Sequence, residues 1–211
     1  PIQDSTNVYE AFSKMQNPNF FTGENQYYAE SLHKKIDAKN IQRLGKLPEI
    51  LILQLSRFEY NYQLGIRSKI NSVFNFPVDL DLKDFTASNI DQITKYELRG
   101  VVMHEGTADF GHYTSYIKDL STDKWFLYND SYVTEVTVEE VLKKGAGKEG
   151  HSLSGYILFY DRIDTIPKNK ELLLAKPSIS QRLVHQIQKE NRQKDEYRLF
   201  CSEPYFNFML L

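Results

Sequence analysis

The chain has 211 residues, ordinary apolar and charged fractions and a formal net charge of −2, enough length for a substantial core and no basic excess of the kind that nucleic acid or anionic membrane demands. It shows no apolar run of about 18 residues and no signal-peptide pattern, so a soluble intracellular protein, cytoplasmic or nuclear, is expected. The single cysteine, Cys201, excludes an internal disulfide framework and a cysteine-rich zinc site within the chain.

Residues 1–48 read as helical or irregular, with NVYEAFSKM as a short amphipathic helix and NPNFFTGENQYY as a turn-rich stretch through Pro18, Gly23 and Asn25. Pro48 disfavours helix just before it, and Ile50 to Leu55 is a short apolar run that signals a strand. NYQLGI reads as a loop and RSKINSVFNFPVDLDL as a strand pairing back. YELRGVVMHEG, HYTSYIKD, KWFLYNDSYVTEV and GYILFYDR come next as strand-type segments joined by Gly-, Asp- and Ser-bearing loops, the signature of an antiparallel meander. Fourteen Tyr and thirteen Phe suit such a β-rich core, or a surface that grips an extended peptide.

Two later helices carry start signals. Thr137 is the expected cap of TVEEVLKKG, with Glu140 at the capping-box position and Gly145 as the stop. Ser178 is the expected cap of the last helix, with Gln181 three residues on and Ile179, Leu183, Val184 and Ile187 at helical spacing. The expected organisation is therefore a domain over 1–162, a linker over 163–177 and a helical extension over 178–211. Cys201, near an aromatic-rich helix end, is expected as a small buried hydrophobe.

His112 comes directly after a glycine at the start of a strand. It reads either as a buried histidine satisfied by a carbonyl or as a general base projecting into a cleft. A base needs a third group to fix its tautomer. The hairpin HYTSYIKD–LSTD–KWFLYND returns Asn129 and Asp130 toward His112, and strand alternation should turn one of them to the ring.

The six segments LPEILILQLSRFEYN, KINSVFNFP, YELRGVVMHEG, GHYTSYIKD, KWFLYNDSYV and GYILFYDR, in this order, closely resemble the second half of a ubiquitin-specific protease catalytic domain. The resemblance covers roughly residues 5–162, and the tail is similar to the segment beyond the catalytic domain in very large members. It implies an α+β, papain-like cysteine protease fold with a mostly antiparallel palm sheet, flanking helices and the cysteine-bearing N-terminal half absent from this chain. It implies thiol-dependent hydrolysis of the isopeptide bond at the ubiquitin C-terminus, with His112 as general base and Asn129 and Asp130 as its polar partners. Arg57, Phe58, His104, Gly111, Tyr113 and Tyr156 fall on positions that line the channel for the ubiquitin tail. NYQLGIR and EGTADF match two mobile loops over that tail. Ala29 and Leu32 stand where many members carry a zinc-binding Cys-x-x-Cys, so neither zinc nor any other cofactor is expected. The expected partners are ubiquitin or ubiquitinated proteins and the cysteine-bearing half, with no nucleic acid and no membrane. The rival expectation is an inert ubiquitin-binding scaffold, since no nucleophile box is present and Cys201 lies beyond the histidine.

Overall fold

The computed structural model describes residues 1–63, 65–87, 92–175 and 179–201. It divides into two compact units, Pro1–Leu173 and Leu174–Leu211. The first unit opens with helix α1, Val8–Met15, capped by the Asn7 side chain on the Glu10 amide. Two small antiparallel ladders come after it: β1, Asn19–Phe21, with β4, Ala38–Asn40, and between them β2, Tyr27–Ala29, with β3, Lys34–Ile36.

The main sheet is built from β5 (Ile50–Gln54), β8 (Asp79–Asp81), β9 (Lys95–Gly106), β10 (Gly111–Lys118), β11 (Trp125–Asn129), β12 (Tyr132–Val136) and β13 (Ser154–Arg162). Its order is β12-β11-β10-β9-β13-β5, with β8 also on β9, and every pairing is antiparallel. The expected meander from 95 to 136 is therefore present. The long second strand expected over 67–82 is not continuous. Its start, β7 (Ile66–Lys69), pairs with β6 (Phe58–Asn61) in a separate hairpin, and its end is β8.

Two bulges set which side chains enter the core. Phe159 pairs with Gly100 but Tyr160 with Leu98, which leaves Arg99 as an extra residue on β9. The bulge changes the phase of alternation, so Leu98 and Val101 both reach the core. Gly155 pairs with Met103 but Ile157 with Val102, which leaves Tyr156 as the extra residue on β13. The core itself packs Phe74, Leu80, Leu98, Val101, Met103, Tyr116, Leu158 and Tyr160 under helix α2, Val138–Ala146.

Thr137 caps α2, as expected, accepting from the Glu140 amide at 3.2 Å. Gly145 does not stop it. The helix runs on to Ala146, and Gly147, at φ 82°, is the terminating residue. Gly145 is glycine for packing, because a Cβ there would meet Phe76 Cζ at 2.4 Å. The stretch expected as a linker holds helix α3, Ile166–Leu174, whose Lys170 pairs with Asp123 at 2.8 Å.

In the second unit, α4 spans Gln181–Phe200 and its cap is Ser180, which accepts from the Leu183 amide at 3.3 Å. The expected cap Ser178 lies outside the described residues. Cys201 is the exposed C-cap of α4, not a buried hydrophobe, because α4 is solvent-exposed along its whole length and offers it no core to enter. Among the described residues no helix is long and apolar enough to cross a membrane.

Replacing Gly145 by Ala forces Phe76 out of its place beneath α2 and is expected to cost about 1–3 kcal/mol. Thermal melting checks this against Lys143→Ala, a neighbour away from Phe76 expected to stay within about 0.5 kcal/mol of the parent.

Candidate active site

β10 presents alternate residues to opposite faces, and its register with β11 runs from Lys118↔Trp125 to Ser115↔Tyr128. One further step would set Thr114 opposite Asn129, so the side chains of His112 and Asn129 share a face while that of Asp130 does not. His112 Nε2 and Asn129 Oδ1 lie 2.6 Å apart. An amide oxygen only accepts, so Nε2 carries the proton and the neutral ring keeps its lone pair on Nδ1. Of the two candidates, Asn129 meets the ring and Asp130 makes no hydrogen bond to it. Asp130 sits at φ 50° in the two-residue turn between β11 and β12, a left-handed position that Asp tolerates well. His112 itself is exposed at the sheet's end.

Beside it, Phe58, His104, Gly111, Tyr113 and Tyr156 line one open cavity of about 530 Å³, together with Tyr60, Arg67, Asp109 and Phe110. The rings form a chain of edge and tilted contacts. Phe58 meets His104 and Tyr156 with centroids 5.3 Å away in each case, and Tyr113 meets His104 at 4.7 Å and Tyr156 at 6.0 Å. Register explains the convergence: His104 pairs with Tyr113 and also with Ser154, and the bulge at Tyr156 turns that ring out of the regular alternation. Burial, and then the charge of Lys69, holds the His104 imidazole below its ordinary value, so this ring favours the neutral form. Gly111 is required by the same ring, since a Cβ would sit 2.1 Å from His104 Nε2 and 2.6 Å from the Glu105 carbonyl.

Arg57 does not join this group. It is fully buried, with Nε on the Gly155 carbonyl at 2.7 Å and Nη1 on the carbonyls of Ile70 and Ser72 at 2.9 and 3.1 Å. These bonds all go to backbone, so it braces the wall behind the pocket instead of facing a ligand. Lys69, which sequence reasoning does not single out, sits next to it. Its Nζ donates to the His104 carbonyl at 2.9 Å and to the Ser152 carbonyl. The only hint in the sequence is a lone lysine between Ser68 and Ile70, indistinguishable there from a solvated charge.

Ala29 and Leu32, at the positions compared with a zinc ligand pair, fall on the β2–β3 hairpin, Ala29 buried and Leu32 exposed. Among the described residues no group of three His, Cys, Asp or Glu could hold a metal ion. His33, His151 and His185 are exposed.

The sequence model of the ubiquitin carboxyl-terminal hydrolase family matches residues 10–160. Human ubiquitin carboxyl-terminal hydrolase 9Y is 28% identical over 269 aligned positions, which take in 99% of this chain and 10% of that protein. Zebrafish (Danio rerio) ubiquitin carboxyl-terminal hydrolase 48 is 29% identical over 220 positions, 96% of this chain and 20% of that one. Among solved structures, a chain of the SAGA DUB module Ubp8/Sgf11/Sus1/Sgf73 bound to monoubiquitin matches at a TM-score of 0.63 with 32% identity, covering 76% of this chain and 33% of its own. The same module bound to ubiquitin aldehyde matches at 0.62 with 30% identity, 76% and 34%. The chain thus spans about a third or less of each of these proteins, and it folds as part of their papain-like α+β domain with its large antiparallel sheet. Taken with the histidine–asparagine pair and the aromatic cavity beside it, the match over 10–160 places the chain in the ubiquitin carboxyl-terminal hydrolase family.

Proposed function

We propose that this chain supplies the histidine and asparagine of a deubiquitinating cysteine protease that hydrolyses the isopeptide bond at the C-terminus of ubiquitin. The observation that carries the reading is the 2.6 Å contact from His112 Nε2 to Asn129 Oδ1. It fixes the ring so that Nδ1 is the basic nitrogen, which is the requirement for a base that activates a thiol. A cysteine-bearing segment outside this chain delivers the thiol. Nδ1 takes its proton, the thiolate attacks the scissile carbonyl, and the imidazolium returns the proton to the departing lysine amine. Water then enters with His112 again as base and releases the carboxylate from the thioester. Asn129 orients the ring and carries no charge, so it stabilises the imidazolium less than a carboxylate would. Asp130 has a turn role and is assigned no catalytic one.

The aromatic cavity suits the substrate. Ubiquitin ends in two glycines, and a slot walled by Phe58, Tyr113 and Tyr156 admits a chain without side chains while excluding larger ones. Ubiquitin bound to the SAGA DUB module supports the same partner. The open face of the sheet, opposite its packed core, supports docking of a cysteine-bearing segment. Ile50, Ile52 and Ile117 are exposed there, and an apolar groove of about 610 Å³ runs past Val102, Phe159 and Leu172.

The test is ubiquitin carrying a thiol-reactive electrophile at its C-terminus, added to the full-length protein and read by peptide mapping. The expected adduct lies on a cysteine other than Cys201 and disappears in His112→Ala; an adduct on Cys201, or none, overturns the reading.

In the same protein Asn129→Ala is expected to lower kcat/KM roughly tenfold to a thousandfold, whereas Asp130→Ala changes it less than about threefold, because only the first frees the ring to turn. Gly111→Ala is expected to raise KM about tenfold or more by driving the His104 ring into the slot. Steady-state hydrolysis of a fluorogenic ubiquitin conjugate measures all three.

A further inference from the structure

The aromatic walls of the slot come from a separate hairpin and from two strands of the main sheet. Phe58 lies on the β6–β7 hairpin, His104 on β9 and Tyr156 on β13. One lysine links the hairpin, β9 and the segment that leads into β13. Lys69 pairs directly with Phe58 across the hairpin. Its Nζ then leaves the hairpin to donate to the carbonyl of His104 at 2.9 Å and to that of Ser152, four residues before Tyr156. Through this one side chain the hairpin is tied to β9 and to the approach of β13. We propose that Lys69 is the positioning residue of the aromatic slot, setting the distance of the hairpin wall from the other two and so the width offered to the glycines of the ubiquitin tail. The identity of that tail rests on the proposed function; the geometry of the slot does not.

Lysine suits the task because a slender stem crosses the packed wall and its head points donors in several directions. The position is held against electrostatic opposition. Desolvation first, and then Arg57 behind the wall, draw Lys69 down to about 8, while Glu105 pulls the other way. His104 is the other titratable neighbour, and Lys69 in turn disfavours its charged form. Because the folded value lies below the ordinary 10.5, an opened wall rebinds a proton that the closed one has released. Closure therefore gains as pH rises from about 8 toward 10.5, and loses that gain below it.

The experiment is amide hydrogen exchange by mass spectrometry on the full chain, with rates corrected for their intrinsic pH dependence, beside binding of fluorescent ubiquitin. In Lys69→Met, exchange over 104–113 and 152–157 is expected to rise about tenfold at neutral pH while α2 keeps its rate, since two carbonyls lose their donor. Lys69→Arg is expected to restore most of the protection. In the wild type, opening of the same segments is expected to fall roughly tenfold between pH 7.5 and 9.5, a dependence absent from both variants. Unchanged exchange in Lys69→Met overturns the proposal, and so does a pH dependence that survives in Lys69→Arg, which decides the matter even if the Met variant fails to fold. Ubiquitin affinity is expected to drop about tenfold with the loosened slot. A loosened slot with unaltered ubiquitin binding would defeat the ubiquitin-tail reading and leave the role of Lys69 standing.

Discussion

The register of β10 between β9 and β11 governs the rest of the site. On one side it sets His104 opposite Tyr113, and on the other it brings Asn129 onto the face of His112. A slip by one residue would exchange every side chain between faces, placing Tyr113 where His112 stands and emptying the aromatic slot. The register is secured from the far end of the strand, where Tyr116 and Val101 are buried with Leu158 under α2. Burial of large apolar groups in that core thus carries, along an ordinary ladder, the placement of a histidine that is itself exposed.

The bulges explain how a sheet with one packed face can still furnish a walled cavity on the other. A regular β13 would hold Tyr156 in strict alternation with its neighbours. With that residue left over from the ladder, the ring leans out to meet Phe58 at 5.3 Å and Tyr113 at 6.0 Å. The second bulge, at Arg99, restores Leu98 and Val101 to the same core. One irregularity serves the site and the other the packing, and both lie where β9 meets β13.

Much of this is legible in the sequence. Period-two alternation and Gly- and Asp-bearing turns give the strands from 95 to 162, because such a pattern has one stable use beside a one-sided core. The nearness of Asn129 to His112 comes from hairpin arithmetic; which of Asn129 and Asp130 faces the ring does not, since that depends on a register fixed by Trp125 and Tyr116 packing at a distance. Gly145 reads as a stop because the glycine signal at a helix end is the same whether the residue adopts a left-handed turn or merely makes room for Phe76. Arg57 and Lys69 are opaque for a related reason. A cation in a strand-edge sequence looks like a solvated charge, and only the fold shows that backbone carbonyls surround it.

That pair of cations bears on how such a pocket is held. Backbone carbonyls that turn toward the wall of a cavity need donors, and leaving them buried and unpaired is costly. Here the carbonyls of Ile70, Ser72 and Gly155 are met by Arg57 and those of His104 and Ser152 by Lys69. Carboxylates could not do this, being acceptors only, and a wall of acids would also raise the basicity of the nearby imidazoles. A cation lowers it: burial first, and then the charge of Lys69, depress His104. The same two side chains therefore brace the slot, and Lys69 adds to burial in keeping its histidine neutral.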